Sequence, residues 1–186
     1  MDRNDIANYC VQEQLRDGHE VTIRAIRPED KGRVSEALRE LSSESFYRRT
    51  FAPKRSLSDA DLKQLTLVDF GKVVALGAIM KVEGEEKIVG GGRYLRMGET
   101  AADGAEVAFL IDDAHQGLGI GSRVFKHLVL IARVSGITRF EAEVLPTNEA
   151  MLRLFDRSGL SVTRVVERDA IHVTIELNGE EKSGLF

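Results

Sequence analysis

The stretch Gln116-Gly117-Leu118-Gly119-Ile120-Gly121-Ser122 places three glycines at alternate positions between two apolar segments. The segment before it, Val107 to Ile111, has the length and composition of a buried strand. The segment after it, Ser122 to Val134, has the apolar spacing of a helix. A strand, a tight loop and a helix start thus follow one another within about 30 residues. This order predicts an α/β domain built around the glycine loop.

The glycine loop has the features of a phosphate site. The first N–H groups of a helix have no earlier carbonyl to bond, and together with the helix dipole they attract an anion. Glycine lets the backbone come close to that anion and tolerates positive φ. The loop lacks the Gly-Lys-Ser/Thr ending of a P-loop, and its spacing differs from the G-x-G-x-x-G of a dinucleotide fold. From spacing alone, phosphate binding and a plain strand-to-helix turn both remain open.

Composition limits the class of protein. A chain of 186 residues with 42% hydrophobic and 30% charged residues suits one globular domain. Its net charge of −4 argues against nucleic acid or an anionic membrane as the main partner. Cys10 is the single cysteine, so no intrachain disulfide can form, and the four scattered histidines predict no metal site. Without a signal segment or a membrane-length apolar run, the predicted location is cytoplasmic.

Patterns on either side of the loop complete one domain, predicted over residues 11–177. Residues 1–10 are expected to be weakly structured, with a short helix as the alternative, and residues 178–186 to be a frayed tail. A meander of three strands at the centre makes the predicted sheet mixed and mostly antiparallel, with helices flanking it. Gly90-Gly91-Gly92 within it predicts a bulge or a close backbone approach. The predicted strands are 11–15, 20–27, 73–82, 87–96, 105–111, 139–145, 160–168 and 170–177. The predicted helices follow Pro28, Ser42, Ser58, Gly121 and Asn148, with Leu62, Leu65 and Leu67 turned inward in the third.

The chain resembles the GNAT N-acetyltransferases in two motifs. Gln116-x-x-Gly119-x-Gly121, between a strand and a helix, is similar to the acetyl-CoA loop of that family. Residues 148–160, Asn-Glu-Ala-Met-Leu-Arg-Leu-Phe-Asp-Arg-Ser-Gly-Leu, are similar to its second conserved helix. Residues 15–30, 41–47 and 65–70 look most like the catalytic domain of the bacterial Pat-type protein lysine acetyltransferases. The resemblance implies a single GNAT-like domain that uses acetyl-CoA as acyl donor.

Glu106 is the candidate general base. It opens the strand Glu106-Val-Ala-Phe-Leu-Ile111, and alternation puts Glu106, Ala108 and Leu110 on one face of that strand. A carboxylate beside apolar neighbours is expected to be partly desolvated, which raises its pKa toward values useful for deprotonating an amine. The alternatives are an exposed glutamate at a strand end, or one paired with Arg93. The resemblance favours the base, because similar segments carry the catalytic glutamate in histone and Pat-type enzymes.

The resemblance also implies the residues that hold acetyl-CoA. Backbone groups of the segment Phe109, Leu110 and Ile111 are expected to bond the pantetheine arm, and a backbone N–H there would stabilise the oxyanion. The pyrophosphate is expected on the loop, which comprises Gln116, Gly117, Leu118, Gly119, Ile120, Gly121 and Ser122.

The second helix departs from the family pattern. Many members carry a tyrosine there that protonates the leaving thiolate, whereas this chain has Phe155, which cannot donate a proton. Another donor or a water could serve, or the thiolate could leave unassisted. Phe155 itself is expected either to pack against pantetheine or to belong to the core. Asn148 is expected either to bond the CoA arm or to cap its helix.

Two charged clusters have a functional and an ordinary interpretation. The basic group of Arg48, Arg49, Lys54 and Arg55 could meet the 3′-phosphate of CoA or an acidic protein surface, or be a solvated face. Asp112 and Asp113 could supply a second acid, or be turn residues.

These observations predict an acetyl-CoA-dependent N-acetyltransferase that acts by direct transfer, most readily to a lysine on a protein. Two alternatives stay open: the same chemistry on a small-molecule amine, and a non-catalytic acyl-CoA-binding sensor, which Phe155 favours.

Overall fold

The computed structural model of the chain describes residues 1–50, 58–98 and 104–178, apart from the side chains of residues 49 and 50. The strands are β1 (Cys10–Gln14), β2 (Glu20–Ala25), β3 (Val73–Val82), β4 (Glu85–Arg96), β5 (Ala105–Ile111), β6 (Arg139–Val144), β7 (Ser161–Glu167) and β8 (Ala170–Glu176). The α-helices are α1 (Arg3–Ala7), α2 (Lys31–Glu40), α3 (Ser43–Thr50), α4 (Asp59–Thr66), α5 (Ile120–Val134) and α6 (Glu149–Asp156). Short 3₁₀ helices occupy Pro28–Asp30 and Asp113–His115.

All eight strands form one sheet, in the order β1-β2-β3-β4-β5-β6-β8-β7. Every neighbouring pair is antiparallel except β5 and β6, so the prediction of a mixed, mostly antiparallel sheet is confirmed. The parallel pair has two register positions, Ala105 with Phe140 and Glu106 with Glu141. Beyond Glu106 the two strands part, which leaves a wedge-shaped opening in the middle of the sheet.

Helices cover both faces of the β1–β5 part of the sheet. Helix α5 packs on one face with eight buried residues and contacts β2 to β5, whereas α2 and α4 pack on the other. The main core lies under α5 and α6, where four phenylalanine rings contact one another at centroid distances of 5.6–6.3 Å. They are Phe109, Phe125, Phe140 and Phe155. A smaller apolar cluster under α2 contains Ile26, Ala75, Ile79 and Ile88.

Most local expectations match the structure. Gly18 has a φ of 88° in the β1–β2 turn, as the Asp-Gly pair predicts. The β3–β4 register shifts between Ala78 and Ile79, opposite the triple glycine, which confirms the bulge. A Cβ on Gly91 would lie 2.6 Å from the backbone oxygen of Leu76, so the expected close approach is also present.

Other expectations are wrong in detail. Leu67 caps the end of α4 with 61% of its surface exposed, so it does not turn inward. Helix α5 begins at Ile120 rather than Ser122. In the first ten residues the alternative expectation is confirmed, because they contain the short helix α1, whose Ile6 is buried in the main core; β1 begins at Cys10 rather than Val11. Leu177 is also buried, and the predicted tail from 179 onward lies outside the described residues.

Candidate active site

The N-terminus of α5 is built by two glycines in the left-handed region. Gly117 has a φ of 80°, and Gly119, the residue that caps α5, has a φ of 89°. Both conformations strain any residue with a side chain. This course leaves the N–H groups of residues 117–122 without a hydrogen-bond acceptor anywhere in the described chain. Six consecutive amides at a helix N-terminus form a concave surface suited to an anion.

The third glycine of the loop is needed for packing. A Cβ on Gly121 would lie 2.9 Å from the Cδ1 of Leu154, so a larger residue would require the Leu154 side chain to move. This contact brings the helix after the glycine loop against the helix that starts at Asn148. The two motifs that are far apart in sequence therefore meet at one end of the sheet.

Two arginines beside the loop were missed by the sequence analysis. The position of a Cβ on Gly119 would be 2.9 Å from Nη1 of Arg123 and 3.7 Å from Nε of Arg16. Arg123 donates to the carbonyls of Gly119 and Gln14, so it joins the β1–β2 hairpin to the loop. Its position in the first turn of α5 was a usable signal. Arg16 lies about 100 residues away in sequence, and no local pattern places it there.

A buried histidine anchors the same hairpin to α5. His127 is 3% exposed, its Nδ1 lies 2.5 Å from the hydroxyl of Tyr9, and its Nε2 lies 3.1 Å from Oε1 of Glu13. Burial lowers the pKa of His127, although the Glu13 carboxylate opposes this shift. Partial burial would raise the pKa of Glu13, but the charges of Lys126 and His127 lower it overall. The network holds β1 against α5 directly below the glycine loop.

Asp113 connects the loop to α3. Its carboxylate accepts from the backbone N–H of Ser42 at 2.8 Å, from the hydroxyl of Ser45, and from the Gln116 amide at 3.0 Å. Partial burial would raise its pKa, but the bonds from Ser45 and Ser42 lower it. Asp112 is hydrogen-bonded to His115, with 2.6 Å between Oδ2 and Nδ1. Both aspartates therefore have the structural roles of the ordinary interpretation, and the Gln116 side chain braces the loop.

Glu106 lies where strand alternation places it, but in a different environment from the one expected. Val107 and Phe109 are buried under α5, whereas Glu106 faces the other side of the sheet and is exposed. The predicted partial desolvation is therefore wrong for the structure without substrate. Glu106 has no hydrogen bond or ion pair with Arg93 or any other described residue. The reason is that alternation turns the apolar neighbours Val107 and Phe109 to the opposite face, under α5, where they do not shield the carboxylate.

The predicted pantetheine segment borders the wedge between β5 and β6. Strand β5 pairs with β4 along its whole length, but within the described residues it has no partner on its β6 side after Glu106. Alternate backbone groups of β5 therefore face the opening with no strand to bond. Leu110 and Ile111 are half-buried at this edge, whereas the side chain of Phe109 lies in the core.

Phe155 packs in the core, and Asn148 caps a helix. The Phe155 side chain is 0% exposed and packs edge-to-face on Phe109 and Phe125, which favours the core interpretation. The Asn148 side chain accepts from the N–H of Met151 at 3.3 Å, so it caps α6. In the basic cluster, Arg48 pairs with Glu44 one turn away, while the side chains of Arg49, Lys54 and Arg55 lie outside the described residues.

A cavity of about 400 Å³ lies on the Glu106 side of β4 and β5, beneath α2, α3 and α4. Its lining is mainly apolar and includes Leu38, Leu41, Phe46, Leu65, Gly91 and Ala108. No sequence pattern indicated this cavity, because its described walls come from six separate elements, α2 to α4 and β3 to β5.

Comparisons with known proteins agree with this geometry. Residues 35–160 match the model of a family described as the acetyltransferase (GNAT) family. The chain is 37% identical over 150 residues to Acetyltransferase Pat of Mycolicibacterium smegmatis, a match that covers 78% of this chain and 43% of the relative. It is 32% identical over 139 residues to Acetyltransferase PA5475 of Pseudomonas aeruginosa, covering 75% of this chain and 74% of that protein.

The fold has a close match among solved structures. The GNAT domain of S. lividans PAT superposes with a TM-score of 0.81 and 36% identity, over 90% of this chain and 96% of that domain. The predicted resemblance to GNAT and Pat-type acetyltransferases, and the predicted fold class, are therefore confirmed. The chain spans less than half the length of the M. smegmatis relative. In residues 1–50, 58–98 and 104–178, no helix combines the length and hydropathy needed to cross a membrane.

Proposed function

The chain belongs to the acetyltransferase (GNAT) family, and we propose that it acetylates a lysine side chain on a protein by direct transfer from acetyl-CoA. Glu106 is the proposed general base. The proposed CoA contacts are the 109–111 segment and the 116–122 loop, with Asn148 and Phe155 positioning α6 beside them as a cap and as a core residue.

The observation that carries the proposal is the row of six unbonded amides at residues 117–122. A pyrophosphate needs several N–H donors and positive charge within reach. The loop offers those donors, and Arg16 and Arg123 lie beside Gly119. A Cβ on Gly119 would occupy space next to the Arg123 guanidinium, so the glycine keeps this cradle open. The residues present fit the diphosphate end of CoA.

The opening beside β5 fits the other end of the donor. It begins next to the glycine loop at Ile111 and runs toward Glu106, where β5 and β6 meet. Unpaired backbone groups of β5 line it and can bond an amide-bearing chain, as a strand edge does. When bound, acetyl-CoA supplies an activated thioester. A donor held by the loop at one end and by β5 along its arm would place that thioester close to Glu106.

Glu106 can remove the proton that blocks the acceptor. A lysine amine has a pKa of about 10.4, so deprotonating it at pH 7 costs about 4.6 kcal/mol. An exposed carboxylate on the face of β5 can accept that proton directly or through one water. Of the described residues on this side, Glu106 and Glu143 are exposed, whereas Glu141 is half-buried and paired with Arg139 at 3.0 Å. The negative charge of Glu106 and Glu143 favours a cationic acceptor, and the Pat relatives favour lysine on a protein.

The test of the donor site is a Gly119→Glu variant. A side chain there is strained and places a carboxylate in the phosphate cradle, so acetyl-CoA is expected to lose its stabilising effect on the protein. For the unchanged chain, a ligand at 100 times its Kd adds about 2.7 kcal/mol, which a thermal shift assay detects. Gly84→Glu is the matched control, because Gly84 also has a φ of 88° but lies in the β3–β4 turn. Retained binding by Gly119→Glu would show that the loop does not hold the pyrophosphate.

The acceptor is tested separately. Candidate proteins, polyamines and amino acids are incubated with acetyl-CoA, and released thiol is followed together with lysine acetylation by mass spectrometry. Turnover with small amines alone would favour the small-molecule alternative. Binding of acetyl-CoA without turnover on any acceptor would favour a sensor.

A further inference from the structure

We propose that the cavity beneath α2, α3 and α4 holds the acyl chain of the donor, and that the protein transfers acyl groups of roughly four to eight carbons as readily as acetyl. The inference rests on the proposed function, since it assigns the chain length of the same donor.

The cavity is a consequence of small residues on the sheet. Along its floor, Ala75, Gly91 and Ala108 present almost no side chain toward the helices. Gly91 cannot be enlarged, because a Cβ would lie 2.6 Å from a backbone oxygen. The side chains above the floor, Leu38, Leu41, Phe46 and Leu65, come from α2 to α4 and cannot fill the space. The cavity is large enough for water and open to solvent, and an apolar ligand would remove its apolar lining from water, which is favourable.

The position of the cavity suits the acyl end of the donor. Ala108 and Leu110, which line it, alternate with Glu106 on one face of β5. Ala108 is two residues from Glu106, a separation of about 6.6 Å along a strand. A thioester placed beside Glu106 would therefore have its acyl group at the mouth of the cavity.

The polar groups of the lining do not suit an ammonium ion. Asp112 is bonded to His115 at 2.6 Å, and Asp61 accepts from the backbone N–H and hydroxyl of Ser58 at 2.9 Å each. Arg93, Asp61 and Asp112 are the charged residues of the lining within the described part of the chain, and most of the remaining lining is apolar. A neutral hydrocarbon is thus the better occupant, while the amine approaches from the exposed side of Glu106.

The size of the cavity exceeds the need of an acetyl group. A water occupies about 30 Å³ in the liquid, and a methylene is comparable, so an acyl chain of four to eight carbons would occupy roughly 120–240 Å³. The cavity of about 400 Å³ accommodates such a chain. Each methylene transferred from water into an apolar site is expected to increase the binding affinity about fourfold, equivalent to ~0.8 kcal/mol. The transfer itself is unchanged by chain length. Glu106 takes one proton from the ammonium group and releases it to solvent. The neutral amine nitrogen then forms a C–N bond to the acyl carbon, the C–S bond breaks, and the second N–H proton passes, directly or through a water, to the departing CoA thiolate.

The experiment measures kcat/KM for acetyl-, butyryl-, hexanoyl- and decanoyl-CoA with the full chain and one acceptor. The unchanged protein is expected to use hexanoyl-CoA at least as well as acetyl-CoA. Leu65→Phe, which narrows the cavity, is expected to lower kcat/KM for hexanoyl-CoA more than tenfold and to leave acetyl-CoA within twofold. Leu67→Phe is the matched control on the same helix, because Leu67 is 61% exposed and outside the cavity. A Leu65→Ala variant, expected to favour decanoyl-CoA, covers the case in which the phenylalanine variant fails to fold.

The results separate the two levels of the proposal. Turnover restricted to acetyl-CoA, with Leu65→Phe unchanged, would overturn the acyl cavity and leave the acetyltransferase intact. A rise in the KM of the acceptor alone in Leu65→Phe would assign the cavity to the acceptor instead. If no acyl-CoA of any length shifts the melting temperature, the proposed function itself fails, and the acyl cavity with it.

Discussion

The two faces of β5 differ in burial and in what lies against them. On one face, Val107 and Phe109 are buried beneath α5 in a cluster of aromatic rings. On the other, Glu106 is exposed, and Ala108 and Leu110 border a cavity. A strand alternates its side chains, so one segment of seven residues supplies both a rigid support and an accessible reaction surface. Substitutions on the buried face should therefore change the free energy of unfolding, whereas substitutions on the exposed face should change catalysis.

Phe109→Ala is the substitution expected to have the largest effect on stability. It removes a ring packed on Phe125 and Phe155, and such truncations cost about 3–5 kcal/mol because a cavity remains. Urea denaturation measures the loss. Leu110→Ala, the half-buried neighbour on the opposite face, is the control and should lose clearly less. Equal losses of unfolding free energy in the two variants would contradict the proposed difference between the two faces of β5.

Phe155→Tyr should destabilise by about 1–3 kcal/mol, since a hydroxyl would enter a site where the side chain is fully buried. The acetylation rate should stay unchanged, because the new hydroxyl would lie among rings and not beside the donor. Denaturation and steady-state kinetics on the same variant test both statements. A faster variant with undiminished stability would place residue 155 against the pantetheine and reject the core interpretation.

Acid should weaken the packing of β1 on α5 through His127. Because burial lowers the pKa of this histidine, the unfolded chain binds the proton more readily than the folded chain. Stability should therefore fall as the pH drops below about 6.5, the ordinary histidine pKa. The titratable groups facing His127 are Tyr9, Glu13 and Lys126, and protonation of Glu13 at lower pH acts in the same direction.

Unfolding in urea at about pH 7.5 and 5.5 measures this loss. His127→Gln keeps a hydrogen-bonding side chain without the titration, and should show a smaller difference between the two pH values. An identical difference in both proteins would assign the acid sensitivity elsewhere.

Glu106→Gln should have the smallest effect on stability, within about 0.5 kcal/mol, because the side chain is exposed and unpaired in the described chain. Its effect should appear in catalysis instead. CoA affinity should be kept, and the rate should fall most strongly near neutral pH, where the amine is protonated. Glu143→Gln, on the exposed face of β6, is the matched control. An unchanged pH–rate profile for Glu106→Gln would exclude Glu106 as the base.

The parts of the site that the sequence predicts are the local ones. Alternate glycines between a strand and a helix are sufficient for the conformation at Gly117 and Gly119, because both the turn and the free amides are set within a few residues. Asn148 and the Asp-Gly turn are predictable for the same reason. Alternation likewise assigns Glu106 and Phe109 to opposite faces of β5.

The parts that could not be predicted depend on which elements meet. Alternation gives the face of Glu106 but not what covers that face, so the expected desolvation was wrong. Glu13 and His127 are 114 positions apart and become partners only because β1 packs on α5. The parting of β5 and β6 and the cavity over Gly91 and Ala108 arise from tertiary packing, for which this chain has no local signature.

The parting of β5 and β6 also has a mechanical consequence. Only two register pairs join β5 to β6 in the described residues, so the backbone connects the two halves of the sheet weakly. Edge-to-face and tilted contacts among Phe109, Phe125, Phe140 and Phe155 help to hold the halves together. A donor bound in the wedge would contact both halves of the sheet and link them. Amide hydrogen exchange in β6 and α6 should therefore slow on donor binding, including at residues that the donor does not touch. The donor would thus stabilise the fold as well as supply the acyl group.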